Sequence, residues 1–400
     1  MKLLHVVDSM DPVKGGVSHA VQTIATEVTK AGFFNEVLTL DPPGNIESTS
    51  MYRINNIGPS KGPWSYSSAL IPWLLKNLKR FDIVIVHGLW LYSGYAVRQA
   101  ISKYKSKNKV TTANLKLPKL FIMPHGMLDP YFQHAEKRKI KAIRNWVYWK
   151  MIESNLVNGS DGILFTCKQE CLLARKPFRP YRPKRELVVG LGISAPPAFS
   201  FSMIDTFNNL CPNVVFGKYI LYLGRIDVKK GVDLLLQAYR NIISTYGINK
   251  CPQLILAGPG MDTEYGTMLE MFVNANPDLK ANTHIAGMLS GEKKWAAIYG
   301  CEAFILPSHQ ENFGISVIEA LACGKPVLIS KQVNINNELA QAQAAIIGDD
   351  TLNGIYEMLE SWMATPEAAR RQMSLNARRC YEKQFAIQRA TNNLIEAIST

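Results

Sequence analysis

No apolar run in the chain approaches the roughly 18 residues that a membrane-spanning helix needs. The first apolar stretch, Leu3–Val7, stops at Asp8 and is too short for the hydrophobic region of a signal peptide. Cysteine is sparse, with seven scattered through 400 residues. Cys167 and Cys171 are the one close pair, and neither a second pair nor a nearby histidine completes a zinc site. They read as two half-buried thiols on adjacent helical turns. A disulfide framework is excluded, and a reduced, cytoplasmic protein is expected. Repeats and low-complexity tracts are absent as well.

Acidic side chains are in deficit, 32 against 45 basic ones, for a formal net charge of +13. The imbalance is local. Residues 1–200 hold 28 basic and 13 acidic side chains, a net of +15, whereas residues 201–400 hold 17 and 19, a net of −2. Such a basic half suits nucleic acid, anionic lipid or a phosphorylated small molecule. No recognised nucleic-acid module or aromatic–basic interleave accompanies it, which counts against nucleic acid.

The composition, 47% hydrophobic and 19% charged, supports a sizeable core and excludes intrinsic disorder. At about 150 residues per domain the length predicts two domains. Short runs apolar on both faces alternate with longer helical stretches. The runs are Leu3–Val7, Val37–Leu40, Ile83–Val86, Leu120–Met123, Ile163–Phe165 and Leu187–Val189, then Tyr219–Leu223, Leu254–Ala257, Phe304–Leu306, Val327–Ile329 and Ala345–Ile347. This is the pattern of parallel strands covered by helices, so the fold class is α/β, with two doubly wound sheets. Gly190–Asn213, rich in glycine and proline and without periodicity, reads as the linker. The expected domains are 1–195 and 196–380, with 381–400 a helix packing back toward the first.

In such sheets ligands bind beyond the strand C-termini, so the informative residues follow strands. The segment Ala303–Ser330 reads as strand, loop, helix and strand, with Glu311 in the loop and Glu319 eight positions on, in the second helical turn. Carboxylates beside the free amides of a helix N-terminus suit sugar hydroxyls; the plain alternative is two surface glutamates. Between a strand ending at Gly224 and a helix beginning near Val232 lie Arg225 and Lys230, a diphosphate clamp or a solvated turn. Gly15-Gly16 precedes a helix after the first strand and can admit a phosphate or sugar to the amides, yet it is no full G-x-G-x-x-G. His87 and His125 each precede a glycine just past a strand. His19, His87 and His134 read as structural.

Together these residues resemble the GT-B fold glycosyltransferases, specifically the retaining glycosyltransferase family 4. The likeness runs in order through Gly15-Gly16, Pro124-His125-Gly126, Gly224-Arg225, Lys230-Gly231, Leu256-Ala-Gly-Pro-Gly260, Ile285-Ala-Gly287 and Glu311-Asn-Phe-Gly-Ile-Ser-Val-Ile-Glu319. It implies two Rossmann-like domains facing an inter-domain cleft, a nucleotide-sugar donor in the C-terminal one, an acceptor in the N-terminal one, and no metal ion. By the resemblance, Arg225 and Lys230 neutralise the diphosphate, Glu319 holds the ribose and Leu289 lies near the base. Glu311, Asn312 and the amides of Phe313, Gly314 and Ile315 bind the sugar. His125 sits beneath that sugar and Gly16 faces the phosphates, with Gly15 and Asp129 beside them in the donor site. The chain departs from the family at Val189–Ser194, where a Pro-Asn-Gly-like turn is common, and at Asn312, where glycine is frequent.

The resemblance implies a metal-independent retaining hexosyltransferase, with UDP-glucose the leading donor ahead of a UDP-linked N-acetylhexosamine and GDP-mannose. The acceptor is expected to be a saccharide or a lipid-linked molecule of envelope or exopolysaccharide synthesis, and the protein a monomer. Sugar-nucleotide epimerases of similar architecture are the nearest alternative, and a non-catalytic binding protein the next. Lys137–Lys141, with Ile140, Ile143, Trp146, Val147 and Trp149, reads as an amphipathic helix with its aromatic side in the core. The alternative is docking on an anionic membrane, to which the basic segment Arg175–Arg185 adds charge.

Overall fold

Every run that is apolar on both faces forms a strand, and all the strands pair in parallel. In the computed structural model, which describes residues 1–11, 15–44, 48–108, 117–134 and 139–400, they build two sheets. The first contains β1 (Lys2–Val7), β2 (Phe34–Thr39), β3 (Arg53–Asn56), β4 (Ile83–His87), β5 (Lys119–Met123), β6 (Gly162–Phe165) and β7 (Glu186–Val188), in the order β3-β2-β1-β4-β5-β6-β7. The second contains β8 (Tyr219–Leu223), β9 (Gln253–Ala257), β10 (Thr283–Gly287), β11 (Ala303–Leu306), β12 (Val327–Ser330) and β13 (Ala345–Gly348), in the order β10-β9-β8-β11-β12-β13.

Two strands, β3 and β10, were not expected. Both lie at sheet edges, and their sequences, Arg-Ile-Asn-Asn and Thr-His-Ile-Ala-Gly, mix polar with apolar residues because an edge strand is less enclosed. A second correction falls in the segment read as a linker. Ser202–Leu210 is a helix that buries Met203 and Phe207, four positions apart, and the Phe207 ring stacks on Tyr219 at 4.9 Å. The flanking prolines and glycines had masked a single short period.

The chain divides into two units, Met1–Gly192 with Ile387–Thr400, and Ile193–Ala386. The last helix, Ile387–Ser399, buries Ile387, Leu394 and Ile398 and packs on helix Gly16–Lys30 of the first unit. In the second unit, helix Val232–Tyr246 buries Val232, Leu235, Leu236, Tyr239, Ile242 and Ile243, one stripe at helical spacing. Each large side chain so buried contributes about 1.5–3 kcal/mol. All seven cysteines are free, and Cys167 caps helix Lys168–Ala174 from outside its first turn instead of lying within it. Among the described residues, no helix is long and apolar enough to cross a membrane.

Candidate active site

The second sheet reverses its order between β8 and β11, so the loops leaving these neighbours diverge and open a crevice at their C-terminal ends. The loop after β8 carries Arg225 and Lys230; the loop after β11 carries Glu311 to Gly314. Backbone contacts fix both. The Ile226 amide donates to the Pro259 carbonyl at 2.8 Å, and the His309 amide donates to the Lys229 carbonyl at 2.8 Å. Two glycines are required by close approach. A Cβ at Gly258 would stand 1.8 Å from the Gly224 oxygen, and one at Gly231 would stand 2.5 Å from the Pro307 oxygen. Gly231 also has φ +66, which favours glycine.

Lys230 Nζ pairs with Glu311 Oε2, and the two side chains are only 13% and 18% exposed. Burial works against ionisation of Glu311 more strongly than any single partner. Lys230, Lys229 and the Gly314 amide together outweigh it and hold the carboxyl below its ordinary value. Glu311 is further tied by backbone bonds of 3.0 Å to the Gln332 carbonyl and 2.9 Å from the Asn334 amide. Asn334, which is buried, also reaches the Asn312 side chain at 3.4 Å. Lys230 is therefore no solvated turn residue. The Arg225 guanidinium is exposed and makes no hydrogen bond or ion pair among the described residues.

Glu319 lies in helix Ile315–Ala322, as the spacing predicts, but it is buried instead of surface-exposed. Its Oε1 accepts from Lys294 Nζ at 2.6 Å, and that ammonium sits 4.3 Å from the Trp295 ring centroid. Lys294, on helix Gly291–Gly300, escaped the sequence reading because 25 residues separate it from its partner. Leu289 is buried in the short loop between β10 and that helix. Phe313 is buried edge-to-face on Phe385 at 5.8 Å, and Gly314 leads into helix Ile315–Ala322, placing the Ile315 amide at its start.

The remaining candidates belong to the first unit, whose sheet reverses between β1 and β4. Gly15 caps helix Gly16–Lys30, and both glycines are exposed with open space around them. Pro12, Val13 and Lys14, which precede them, lie outside the described residues. His125 follows β5 with φ +51, and Glu170 braces its loop. Glu170 Oε1 accepts from the Gly126 amide at 2.6 Å, while Oε2 takes the Thr166 amide and hydroxyl at 2.7 and 2.6 Å. Asp129 Oδ1 accepts from the Tyr131 amide at 2.9 Å, a turn-forming contact. His19 is exposed on its helix, whereas His87 is buried and hydrogen-bonded to His125. The side chain of His134 lies outside the described residues.

The basic helix departs from expectation. Helix Lys139–Tyr148 runs on through a π-turn at Trp149–Glu153, and Ile140, Ile143, Val147 and Met151 form one stripe on its exposed side, with Trp146 beside them. Asn145, Trp149 and Glu153 turn inward. Lys141, Arg144 and Lys150 flank the stripe, Lys150 Nζ lying 5.6 Å from the Trp146 ring centroid. The period shows that such a helix has an apolar side, but it does not show which side meets water. Lys137 and Arg138 lie outside the described residues.

Residues 216–379 match the family described as glycosyl transferases group 1, a span that holds all six strands of the second sheet and both Lys–Glu pairs. Among the chain's curated relatives, GDP-mannose:cellobiosyl-diphosphopolyprenol alpha-mannosyltransferase of Xanthomonas campestris is 21% identical over 90% of this chain and 87% of its own length. Mannosylfructose-phosphate synthase of Agrobacterium fabrum is 26% identical over 33% of this chain, and the match spans only 30% of that relative's length. Among solved structures, HepE of Anabaena in complex with UDP and glucose shares the fold, with a TM-score of 0.71 at 15% identity over 100% of this chain and 99% of that one. The two parallel-sheet units and these likenesses make the fold GT-B.

Proposed function

We propose that this chain is a metal-independent retaining hexosyltransferase whose second unit holds a nucleotide sugar, with UDP-glucose the leading donor. The observation that carries the reading is the Lys230–Glu311 pair joining the loops after β8 and β11, where the sheet order reverses, with Arg225 exposed on the first of these loops. Departure of the nucleotide develops negative charge on its diphosphate, and preorganised cations stabilise that charge. Arg225 offers an exposed, unengaged fork, and the three N–H bonds of Lys230 let it hold Glu311 and a phosphate oxygen at once. Glu311, kept ionised, serves as a sugar ligand and electrostatic stabiliser, together with Asn312 and the amides of Phe313, Gly314 and Ile315. Glu319 grips the ribose and Leu289 borders the base. The acceptor attacks from the face the diphosphate leaves, through an oxocarbenium-like state, and the departing phosphate takes its proton.

HepE, solved with UDP and glucose, supports a UDP-sugar, whereas the name of the Xanthomonas relative carries GDP-mannose. Thermal-shift measurements across UDP-glucose, a UDP-linked N-acetylhexosamine and GDP-mannose distinguish them. UDP release that depends on an added acceptor separates transfer from epimerisation. The first unit is assigned the acceptor. The exposed stripe Ile140–Met151 and its basic flank fit an anionic membrane surface on the cytoplasmic side, which suits a lipid-linked acceptor.

A further inference from the structure

In the first unit β1, β4 and the turn after the neighbouring β5 each contribute one histidine to a diagonal row. His5 in β1 is in register with Ile85, two residues before His87; His87 at the end of β4 is in register with Met123, two residues before His125. A two-residue step keeps each side chain on the same face and carries it one rung toward the C-terminal edge. The result is a chain of imidazoles. His5 Nδ1 lies 3.0 Å from His87 Nε2, and His87 Nδ1 lies 3.0 Å from His125 Nε2. Ring centroids are 5.2 and 5.3 Å apart. His5 and His87 are 0% and 2% exposed, and His125 is half-buried.

A neutral imidazole has one N–H and one lone pair, so two such bonds in series give three neutral rings a common polarity. Burial favours the neutral form of all three, lowering His5 and His125 to about 4 and His87 well below its ordinary value, with the neighbouring rings adding to the effect at His87. The far end of the row sets the direction. His5 Nε2 is buried without a hydrogen-bond partner. A proton there would be an orphaned buried donor, the rarer and costlier arrangement. The proton of His5 therefore sits on Nδ1 and is donated to His87 Nε2, and His87 donates from Nδ1 to His125 Nε2. His125 is left with Nδ1–H, which has no protein partner among the described residues.

We propose that His87 and His5 are positioning residues that lock His125 as a hydrogen-bond donor through Nδ1, so that its ligand must present an acceptor oxygen, such as a sugar hydroxyl or a phosphate. The ligand half of this statement rests on the proposed transferase reading; the polarity does not. Long-range proton–nitrogen correlation spectra of the full chain, with nitrogen-15 in its imidazoles, test the polarity without substrate. All three rings are expected as neutral Nδ1–H tautomers at pH 7. An Nε2–H tautomer or an imidazolium at His125 would overturn the proposal. His87→Gln keeps one acceptor and one donor in the row and is expected to stay within about threefold of wild-type kcat/KM. His87→Phe removes both and is expected to lose about tenfold, the value of one well-made hydrogen bond, while His125 shifts toward a mixture of tautomers in the same spectra. Folding of both variants is checked by Tm. Folded variants with equal turnover and an unchanged His125 spectrum would sink the positioning role.

Discussion

Lys230 and Glu311, 81 positions apart in sequence, form one enclosed ion pair that joins the loops after β8 and β11. The pair makes each partner dependent on the other. Lys230→Met leaves a carboxylate enclosed without its cation, at a cost of about 3 kcal/mol, toward the low end for buried pairs because this one is partly solvated. Glu311 is held below its ordinary value of 4.5, so its contribution is present above that pH and is lost as pH falls through the lower folded value. Lys230→Met should reverse this trend and unfold more readily at pH 7 than at pH 5. Adding Glu311→Gln should restore stability but not turnover. Thermal denaturation at both pH values reads the reversal.

Arg225 separates catalysis from stability, because it is exposed and pairs with nothing among the described residues. Arg225→Ala should leave the melting temperature unchanged and lower sugar transfer by about 10²–10³, or about 2.7–4 kcal/mol. Steady-state release of UDP or GDP in the presence of acceptor checks it. Near-normal turnover would remove Arg225 from the diphosphate site.

Glu153 is buried against the Trp90 amide, 2.5 Å from its Oε1, while Oε2 is buried without a partner. Burial, only partly offset by that amide, raises its carboxyl from 4.5 to about 8. A folded value above the unfolded one means stability is fully present below pH 4.5 and is lost as pH rises through about 8. Glu153→Gln keeps the oxygen facing Trp90 and removes the titration. Denaturant unfolding across this range should show the wild type losing up to about 1.4 kcal/mol per pH unit more than the variant.

The exposed stripe on helix Lys139–Tyr148 gives a surface prediction. Ile143→Ser and Trp146→Ser should leave the fold intact and weaken partition onto phosphatidylglycerol vesicles at low salt by about tenfold each, since burying such a side chain is worth about 1.5–3 kcal/mol. Binding to phosphatidylcholine vesicles alone should be weak in every form. Indifference of the wild type to anionic vesicles would end the membrane reading. Flotation assays give both results.

The parts of the fold legible in the sequence were those enclosed on both faces. Strands such as β8 and β11 are apolar and buried throughout because helices cover both sides, while β3 and β10 lie at edges and carry mixed sequences. Motif residues that follow strands were legible for the same reason, since Arg225, Lys230 and Glu311 sit where the sheet topology puts ligands. Their partners were not. Lys294 meets Glu319 across 25 residues and Glu170 meets Gly126 across 44, distances at which only the folded chain sets the pairing. His87 read as structural because a single histidine carries no signal; its meaning comes from strand register, which aligns it with His5 and His125.

Binding of nucleotide sugars to the wild type and to Arg225→Ala, followed by thermal shift, tests the central claim most directly. A donor at 100 times its dissociation constant should stabilise the wild type by about 2.7 kcal/mol, and at the same concentration it should stabilise Arg225→Ala far less. Equal stabilisation of both proteins, or none of the wild type by any UDP- or GDP-sugar, would contradict a diphosphate site on the loops after β8 and β11.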